Sequence, residues 1–250
     1  MDLGLTGKVV VVLAASKGLG RACAETFADE GALIAIGSRD RERLEQTASE
    51  IAAAGVDRRV LAVPVDVTDA HQSRAFIDAV VHEFGRIDIL VNNAGGPPFG
   101  SFDAFDDEAW RAAFELNLLS TVRMTRLALP HMPRGAHGRI INVTSMSVKS
   151  FLPGSMLSTA IRSGVIGMAK MLADEVGPHG ITVNNVAPGL ILTDRLRETG
   201  VGHRADQAPL RRAGEPSEFA AVVAFLASER ASYVTGTTIP VDGGLIRAIG

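Results

Sequence analysis

Short apolar runs alternate along the chain with longer amphipathic stretches, and the runs give way to small or polar residues. Seven such runs predict β-strands: Lys8–Leu13, Leu33–Ile36, Val60–Val65, Ile87–Val91, Arg139–Val143, Ile181–Ala187 and Thr237–Pro240. Their near-continuous apolar character fits strands covered on both faces, as a parallel sheet requires. The stretches between them predict helices over Gly20–Glu30, Arg41–Ala54, Asp69–Phe84, Asp106–Leu129, Ser155–Glu175 and Pro216–Ala227. Helices of this length suit right-handed crossovers, which place helices on both sides of a sheet. Residues 1–250 therefore read as a single α/β domain, a Rossmann-type doubly wound parallel sheet of about seven strands.

No internal repeat, low-complexity tract or linker interrupts this pattern. Gly95–Gly100 (GGPPFG) reads as a loop, because its glycines and prolines continue neither helix nor strand. Leu190–Gly214 is mixed, charged and glycine-containing, and it follows a strand end where open α/β sheets bind ligands. It reads either as a mobile substrate lid or as an ordinary surface connection.

Composition narrows the function classes. At 250 residues the chain suits one core, and with 46% apolar residues it can bury one. A formal net charge of −3 lacks the basic stripe of a nucleic-acid binder. One cysteine, Cys23, excludes an intramolecular disulfide and a multi-cysteine zinc site. No apolar run reaches the ~18 residues of a membrane span, and the N-terminus lacks the basic start of a signal peptide. The expectation is a soluble cytoplasmic domain without metal, membrane or nucleic-acid partner.

The first strand runs into Ala14-Ala15-Ser16-Lys17-Gly18-Leu19-Gly20 and then a helix. Gly18 and Gly20 permit a tight turn and close approach of a pyrophosphate to N–H groups at a helix N-terminus. An NAD site usually has an acid at the end of the second strand, to accept from the ribose 2′-hydroxyl. Here Ser38 and Arg39 stand there, and Lys17 projects from the glycine turn. Two cations and a hydroxyl suit a 2′-phosphate, so NADP is favoured over NAD. Solvated side chains at Lys17 and Arg39, or a ribose contact from Asp40, are the alternatives.

Across its whole length the chain resembles the short-chain dehydrogenase/reductase family. The matching segments are SKGLG at 16–20, VDVTD at 65–69, NNAG at 92–95, ELNLLS at 115–120, GRIINVTS at 138–145, NNVAPG at 184–189 and PVDGG at 240–244. The resemblance implies that Ser16, Lys17, Gly18, Leu19 and Gly20 surround the cofactor phosphates. Asp66 and Val67 would flank the adenine, and Asn93, Ala94 and Gly95 the ribose. Pro188, Gly189, Ile191 and Thr193 would hold the nicotinamide end. It also implies that Asn117 anchors a water in a proton relay and that Ser145 is catalytic. A helix kink at Asn117 and a capping hydroxyl at Ser145 are the plainer readings.

Three positions depart from the family pattern. The first loop glycine is Ala14, tolerable at negative φ and costly in a left-handed conformation. The family's Tyr-x-x-x-Lys falls on Ser158-Thr159-Ala160-Ile161-Arg162, and the chain's only tyrosine is Tyr233. A phenol of pKa about 10 is a far better proton donor than an alkanol, which is roughly as weak an acid as water at about 15.7. That gap amounts to roughly 7–8 kcal/mol in proton affinity. Serine also lacks the ring that carries the hydroxyl to a bound carbonyl. Arg162 shares a helix face with Ser158; it stays protonated, so it offers electrostatic help without a proton relay. Bracing the cofactor or an interface is its alternative role.

Other candidate acids are Thr144, Ser147, Lys149 and the loop residue His203, while His131 and His137 read as surface residues. The leading expectation is an NADP(H)-dependent oxidoreductase of a carbonyl or alcohol substrate, with proton transfer through Ser145, a water or the substrate. A catalytically silent nucleotide-binding member, acting as sensor or assembly subunit, is the second reading. Non-redox chemistry on the same scaffold ranks last. Pro97, Pro98, Phe99, Phe151, Met156 and Leu190 suggest an apolar small-molecule pocket. Family resemblance suggests a homotetramer built on the two long helices and the PVDGG segment.

Overall fold

The computed structural model describes residues 2–56, 58–135, 138–199 and 201–248. Seven strands form one sheet: β1 (Val9–Leu13), β2 (Leu33–Ser38), β3 (Val60–Pro64), β4 (Ile89–Asn92), β5 (Arg139–Val143), β6 (Thr182–Pro188) and β7 (Thr238–Val241). All neighbours pair in parallel, in the order β3-β2-β1-β4-β5-β6-β7. The doubly wound sheet expected from the apolar runs is the observed fold, and each strand lies within two residues of its expected bounds. At β4 the delayed start has a cause. Asp88 is drawn out of the strand pattern, its Oδ2 accepting from Val9 N at 2.7 Å and from Arg86 Nε at 2.8 Å.

The helices are α1 (Gly18–Asp29), α2 (Arg41–Ala53), α3 (Ala70–Phe84), α4 (Asp107–Phe114), α5 (Ser120–Ala128), α6 (Met156–Val176), α7 (Asp194–Thr199) and α8 (Pro216–Ala227). Alternation along β1 shows how the sheet serves two cores. Val10 and Val12 pack with α1, α2 and α8, whereas Val9, Val11 and Leu13 face α3, α5 and α6. The expected 106–129 helix is present but interrupted: a π-helical turn, Glu115–Leu119, joins α4 to α5. Such insertions concentrate at functional sites, and periodicity does not reveal them.

Two features position the ligand-binding edge. The chain leaves β1 and β4 in opposite directions around the sheet, so a crevice opens between their carboxyl ends. Across β4 to β7 a ladder of buried amides locks the register. Asn92 Nδ2 donates to Asn142 Oδ1 at 2.9 Å, Asn142 Nδ2 to Asn185 Oδ1 at 3.0 Å, and Asn185 Nδ2 to Thr238 Oγ1 at 3.1 Å. A slip of one residue would strand each of these groups in apolar surroundings.

Leu190–Gly214 is more ordered than an irregular connection. It contains α7 and a 3₁₀ segment, Val201–Gln207, and it is stitched back by Leu192 N to Gly214 O and Gly214 N to Leu190 O. Gly95–Gly100 is a loop, as expected, and its end pairs with Ser155. No helix of the described residues is long and apolar enough to cross a membrane, and none of their His, Cys, Asp or Glu side chains cluster as a metal site.

Candidate active site

The crevice at the carboxyl ends of the strands is a cavity of about 380 Å³. Eighteen of the predicted site residues line it: Ser16, Lys17, Gly18, Leu19, Ser38, Arg39, Asp66, Val67, Asn93, Ala94, Gly95, Ser145, Ser158, Arg162, Pro188, Gly189, Ile191 and Thr193. Gly20 and Asn117 are not among the lining residues. Gly20 stands behind the turn, where a Cβ would come within 2.4 Å of the Ala14 carbonyl oxygen and 2.9 Å of Asn93 Nδ2. It lets helix α1 pack against strand ends, which brings its first N–H groups up to the cavity.

At the end nearest α2, the Ser16 and Ser38 hydroxyls lie 2.9 Å apart, with Lys17 and Arg39 beside them. Asp40 does not face this cluster as a ribose partner. Its Oδ1 accepts from Arg43 N at 3.1 Å, capping α2. Asp66 sits on the wall, where its Oδ1 accepts from Thr68 N and Oγ1. Buried Arg123 braces the same loop, donating to the Val67 carbonyl at 2.6 Å.

Ala14 adopts φ +49, the left-handed conformation in which a side chain is costly. The position thus keeps the geometry suited to glycine while carrying a methyl group. Gly18, at φ +57, has that freedom.

At the opposite end, Ser145 does two things. Its Oγ accepts from Ser147 N at 3.2 Å, capping a 3₁₀ turn, and the side chain also borders the cavity. Ser158 borders it from the first turn of α6. Arg162, one turn on, is buried. Its Nη1 donates to the carbonyls of Val143 at 2.7 Å and Thr144 at 3.1 Å, and Nη2 to Ala94 at 3.3 Å. Nε has no partner among the described residues. Burial, and secondarily the positive charge of Arg195, lowers the guanidinium's hold on its proton to about 10, so it remains a cation at neutral pH. Asn117 is buried in the π-helical turn, donating to Ala113 O at 3.4 Å, and its Oδ1 has no partner among the described residues.

The apolar pocket is confirmed in part. Pro97, Phe99 and Leu190 line the cavity together with Leu116, Met146, Leu152 and Leu196, but Pro98, Phe151 and Met156 are not among its lining. Phe151 is 86% exposed. Tyr233 is fully exposed, and neither it nor Lys149 borders the cavity. His137 lies outside the described residues, as does the side chain of His203. Sequence reasoning missed Arg195, which also lines the cavity. Its position two residues beyond Thr193, in the segment read as a possible lid, was the available signal.

Residues 13–246 match a family model described as enoyl-(acyl carrier protein) reductase. The match spans both the glycine turn and the strand-end residues of the cavity. The chain belongs to the short-chain dehydrogenase/reductase family. Among members of that family, 3-oxoacyl-(acyl-carrier-protein) reductase FabG of Thermotoga maritima is 38% identical over 245 residues, covering 97% of this chain and 99% of that protein. FabG of Escherichia coli K12 is 39% identical over 246 residues, covering 97% and 99%. L-sorbose reductase from Gluconobacter frateurii, solved with NADPH and L-sorbose, superposes with a TM-score of 0.94 at 35% identity over all of both chains. An NADPH-bound short-chain oxidoreductase of Pseudomonas aeruginosa PAO1, described as containing an atypical catalytic center, gives 0.92 at 34% identity, covering 97% and 98%.

Proposed function

We propose that the protein is an NADPH-dependent oxidoreductase that reduces a carbonyl compound, with Ser158 and Arg162 standing where the family has tyrosine and lysine. The reading is carried by the phosphate end of the cavity: paired hydroxyls of Ser16 and Ser38, two cations, and an Asp40 carboxylate committed to a helix cap. An arginine fork and an ammonium suit a dianionic 2′-phosphate, and there is no carboxylate at that position to favour a 2′-hydroxyl. A cofactor fits the remaining wall as well. At Gly95 a Cβ would meet nothing within 4 Å, so the backbone there borders open space. The residues expected to hold it are Ser16, Lys17, Gly18, Leu19, Gly20, Ser38 and Arg39 at the phosphates, with Asp66 and Val67 at the adenine. Asn93, Ala94, Gly95, Pro188, Gly189, Ile191 and Thr193 take the ribose and nicotinamide.

When bound, NADPH supplies the hydride. Ser145 offers its hydroxyl to the substrate's carbonyl oxygen. Ser158, which lacks the ring, acts on it only through a water, and a water held near Asn117 Oδ1 replaces the proton passed to the developing alkoxide. Arg162 contributes positive potential to that alkoxide and keeps its own proton. A serine donor is weak, so turnover is expected to be slow relative to members with a phenol.

Calorimetry tests the reading first: NADPH binds more tightly than NADH, and removing both Lys17 and Arg39 erases the difference. Absorbance near ~340 nm then follows oxidation of NADPH with ketones, quinones and acyl thioesters. Absence of binding by either nucleotide would end the proposal.

A second reading, a cofactor-binding protein without turnover, draws support from Arg162, whose hydrogen bonds among the described residues all go to main-chain carbonyls. Tight NADPH binding with no oxidation of any carbonyl substrate would favour it. Under either reading we expect a homotetramer. Phe114 at the end of α4, and Met156 and Met171 on α6, are exposed apolar groups on the two long helical segments. Light scattering of the purified protein checks that expectation.

A further inference from the structure

The charged groups at the substrate end of the cavity are two guanidiniums and one carboxylate. Of its charged lining residues, Lys17, Arg39 and Asp66 belong to the nucleotide end, leaving Arg162, Arg195 and Asp194. Asp194 lies between two arginines outside the cavity lining: its Oδ1 accepts from Arg197 Nη1 at 3.0 Å, and its Oδ2 lies 3.9 Å from Arg43 Nη2. Arg195 has Glu198 at 3.8 Å, a neighbour on the same exposed helix, where such a pair contributes little.

Arg195 is nevertheless held in place. Its Nη2 donates to the Pro97 carbonyl at 2.6 Å, and its guanidinium lies 5.7 Å from the centre of the Phe99 ring. Both contacts fix it to the Gly95–Gly100 loop, across the cavity mouth from α7. An arginine has five N–H donors, and one is spent on Pro97, so the fork can still grip a planar anion. Behind it, buried Arg162 has an unpartnered Nε and feels Arg195 as a like charge. A monoanion placed near both would turn that repulsion into attraction. Phe99, Leu116, Leu152 and Leu190 supply apolar wall beside it.

We propose that Arg195 binds the carboxylate of the substrate, which makes the substrate class an oxo acid with an apolar body. Its reduction balances as oxo acid, hydride from NADPH and one proton from solvent, giving hydroxy acid and NADP⁺. This inference rests on the NADPH-dependent reductase reading. The same donors would also suit a phosphate of the cofactor, and the experiment separates the two sources.

The variant is Arg195→Met, which keeps an unbranched side chain over Phe99. Turnover of phenylpyruvate is compared with that of its methyl ester, and calorimetry on the NADP⁺-loaded protein compares 4-phenylbutyrate with 4-phenylbutyramide. We expect the wild type to favour each acid by about 10- to 100-fold, as a charge-assisted pair implies. Arg195→Met should lose that preference through KM, with NADPH affinity unchanged, and Arg195→Lys should restore part of it. Equal binding of 4-phenylbutyrate and its amide by the wild type would overturn the inference. So would a loss of NADPH affinity in Arg195→Met that matches the loss of acid binding. If the acid preference is found by calorimetry while no carbonyl compound is turned over, the anion site stands and the reductase reading falls.

Discussion

Arg162 reaches from α6 to the end of β5 and donates to the Val143 carbonyl at 2.7 Å, so one buried cation ties the helix of Ser158 to the strand that leads to Ser145. The same guanidinium also serves Thr144 and Ala94, which gives it a structural task at the cavity floor besides any chemical one.

The first prediction concerns that task. Arg162→Met leaves three main-chain carbonyls without this donor, and an unpaired buried acceptor costs about 1–3 kcal/mol. Removing a buried charge returns part of the loss. The expected net effect is destabilisation by about 2 kcal/mol, read as a lower urea midpoint at unchanged slope. An unchanged midpoint would mean that water replaces the guanidinium without penalty.

Ala14 supports a prediction of opposite sign. At φ +49 its methyl group is strained, by about 1–2 kcal/mol for a left-handed residue. Glycine relieves the strain but raises unfolded-chain entropy by about 0.4–1 kcal/mol. Ala14→Gly is therefore expected to stabilise the fold by up to about 1 kcal/mol. NADPH affinity should hold or improve, because the turn it shapes is unchanged. Guanidinium denaturation and calorimetry on the same preparations check both halves.

How far the sequence carries is uneven, for physical reasons. Strands buried on both faces are nearly pure apolar runs, so β1 and most of β2 stand out from local composition alone. The glycine turn and the strand-end residues are equally visible, because close backbone approach restricts the residue type. What stays hidden depends on distant partners. Nothing near Arg162 indicates that its donors reach Val143, Thr144 and Ala94, the last 68 positions away. The π-helical turn at Asn117 needs one extra residue in a helix whose periodicity changes little. Arg195 sits in a segment with no apolar rhythm, and its contacts with Pro97, 98 positions away, and with Phe99 tie it to the cavity. Phe151 and Met156 fail for the reverse reason: apolar type and proximity in sequence do not decide which way a side chain points.

Acid pH provides another test, through the segment that backs the cavity wall. Arg212 donates to both oxygens of Glu218, at 2.7 and 2.6 Å, and Glu215 N adds a third bond at 2.8 Å. Two residues after Arg212, Gly214 pairs with Leu190–Leu192. The Arg212 hydrogen bonds first, and the Glu215 N–H next, hold the Glu218 carboxyl down to about 2 from an ordinary 4.5. A carboxyl depressed on folding contributes stability that is full above its unfolded value and disappears as pH falls through its folded value. The melting-temperature gap between wild type and Glu218→Gln should therefore be constant above about pH 5 and close as pH falls from 4.5 towards 2. A gap that persists at pH 2 would show that the ion pair is not its source.

The last prediction restores the missing acid. If Ser158 and Arg162 occupy the family's tyrosine and lysine positions, then Ser158→Tyr with Arg162→Lys supplies a phenol and an ammonium to lower its pKa. A positioned general acid contributes about 10²–10⁴-fold to such a step. The double variant should therefore exceed the wild type in kcat by at least about 100-fold on any carbonyl compound that both reduce. Ser158→Tyr alone should gain less, since Arg162 remains engaged with main-chain carbonyls and cannot move a proton. Lysine keeps one cation at the floor but not the fork, so the urea midpoint must be measured beside kcat. A folded double variant that binds NADPH with unchanged affinity, yet turns over no faster than wild type, would show that proton donation does not limit this site. The barrier would then lie in hydride transfer or in product release, and the serine-for-tyrosine exchange would have cost the protein nothing in rate.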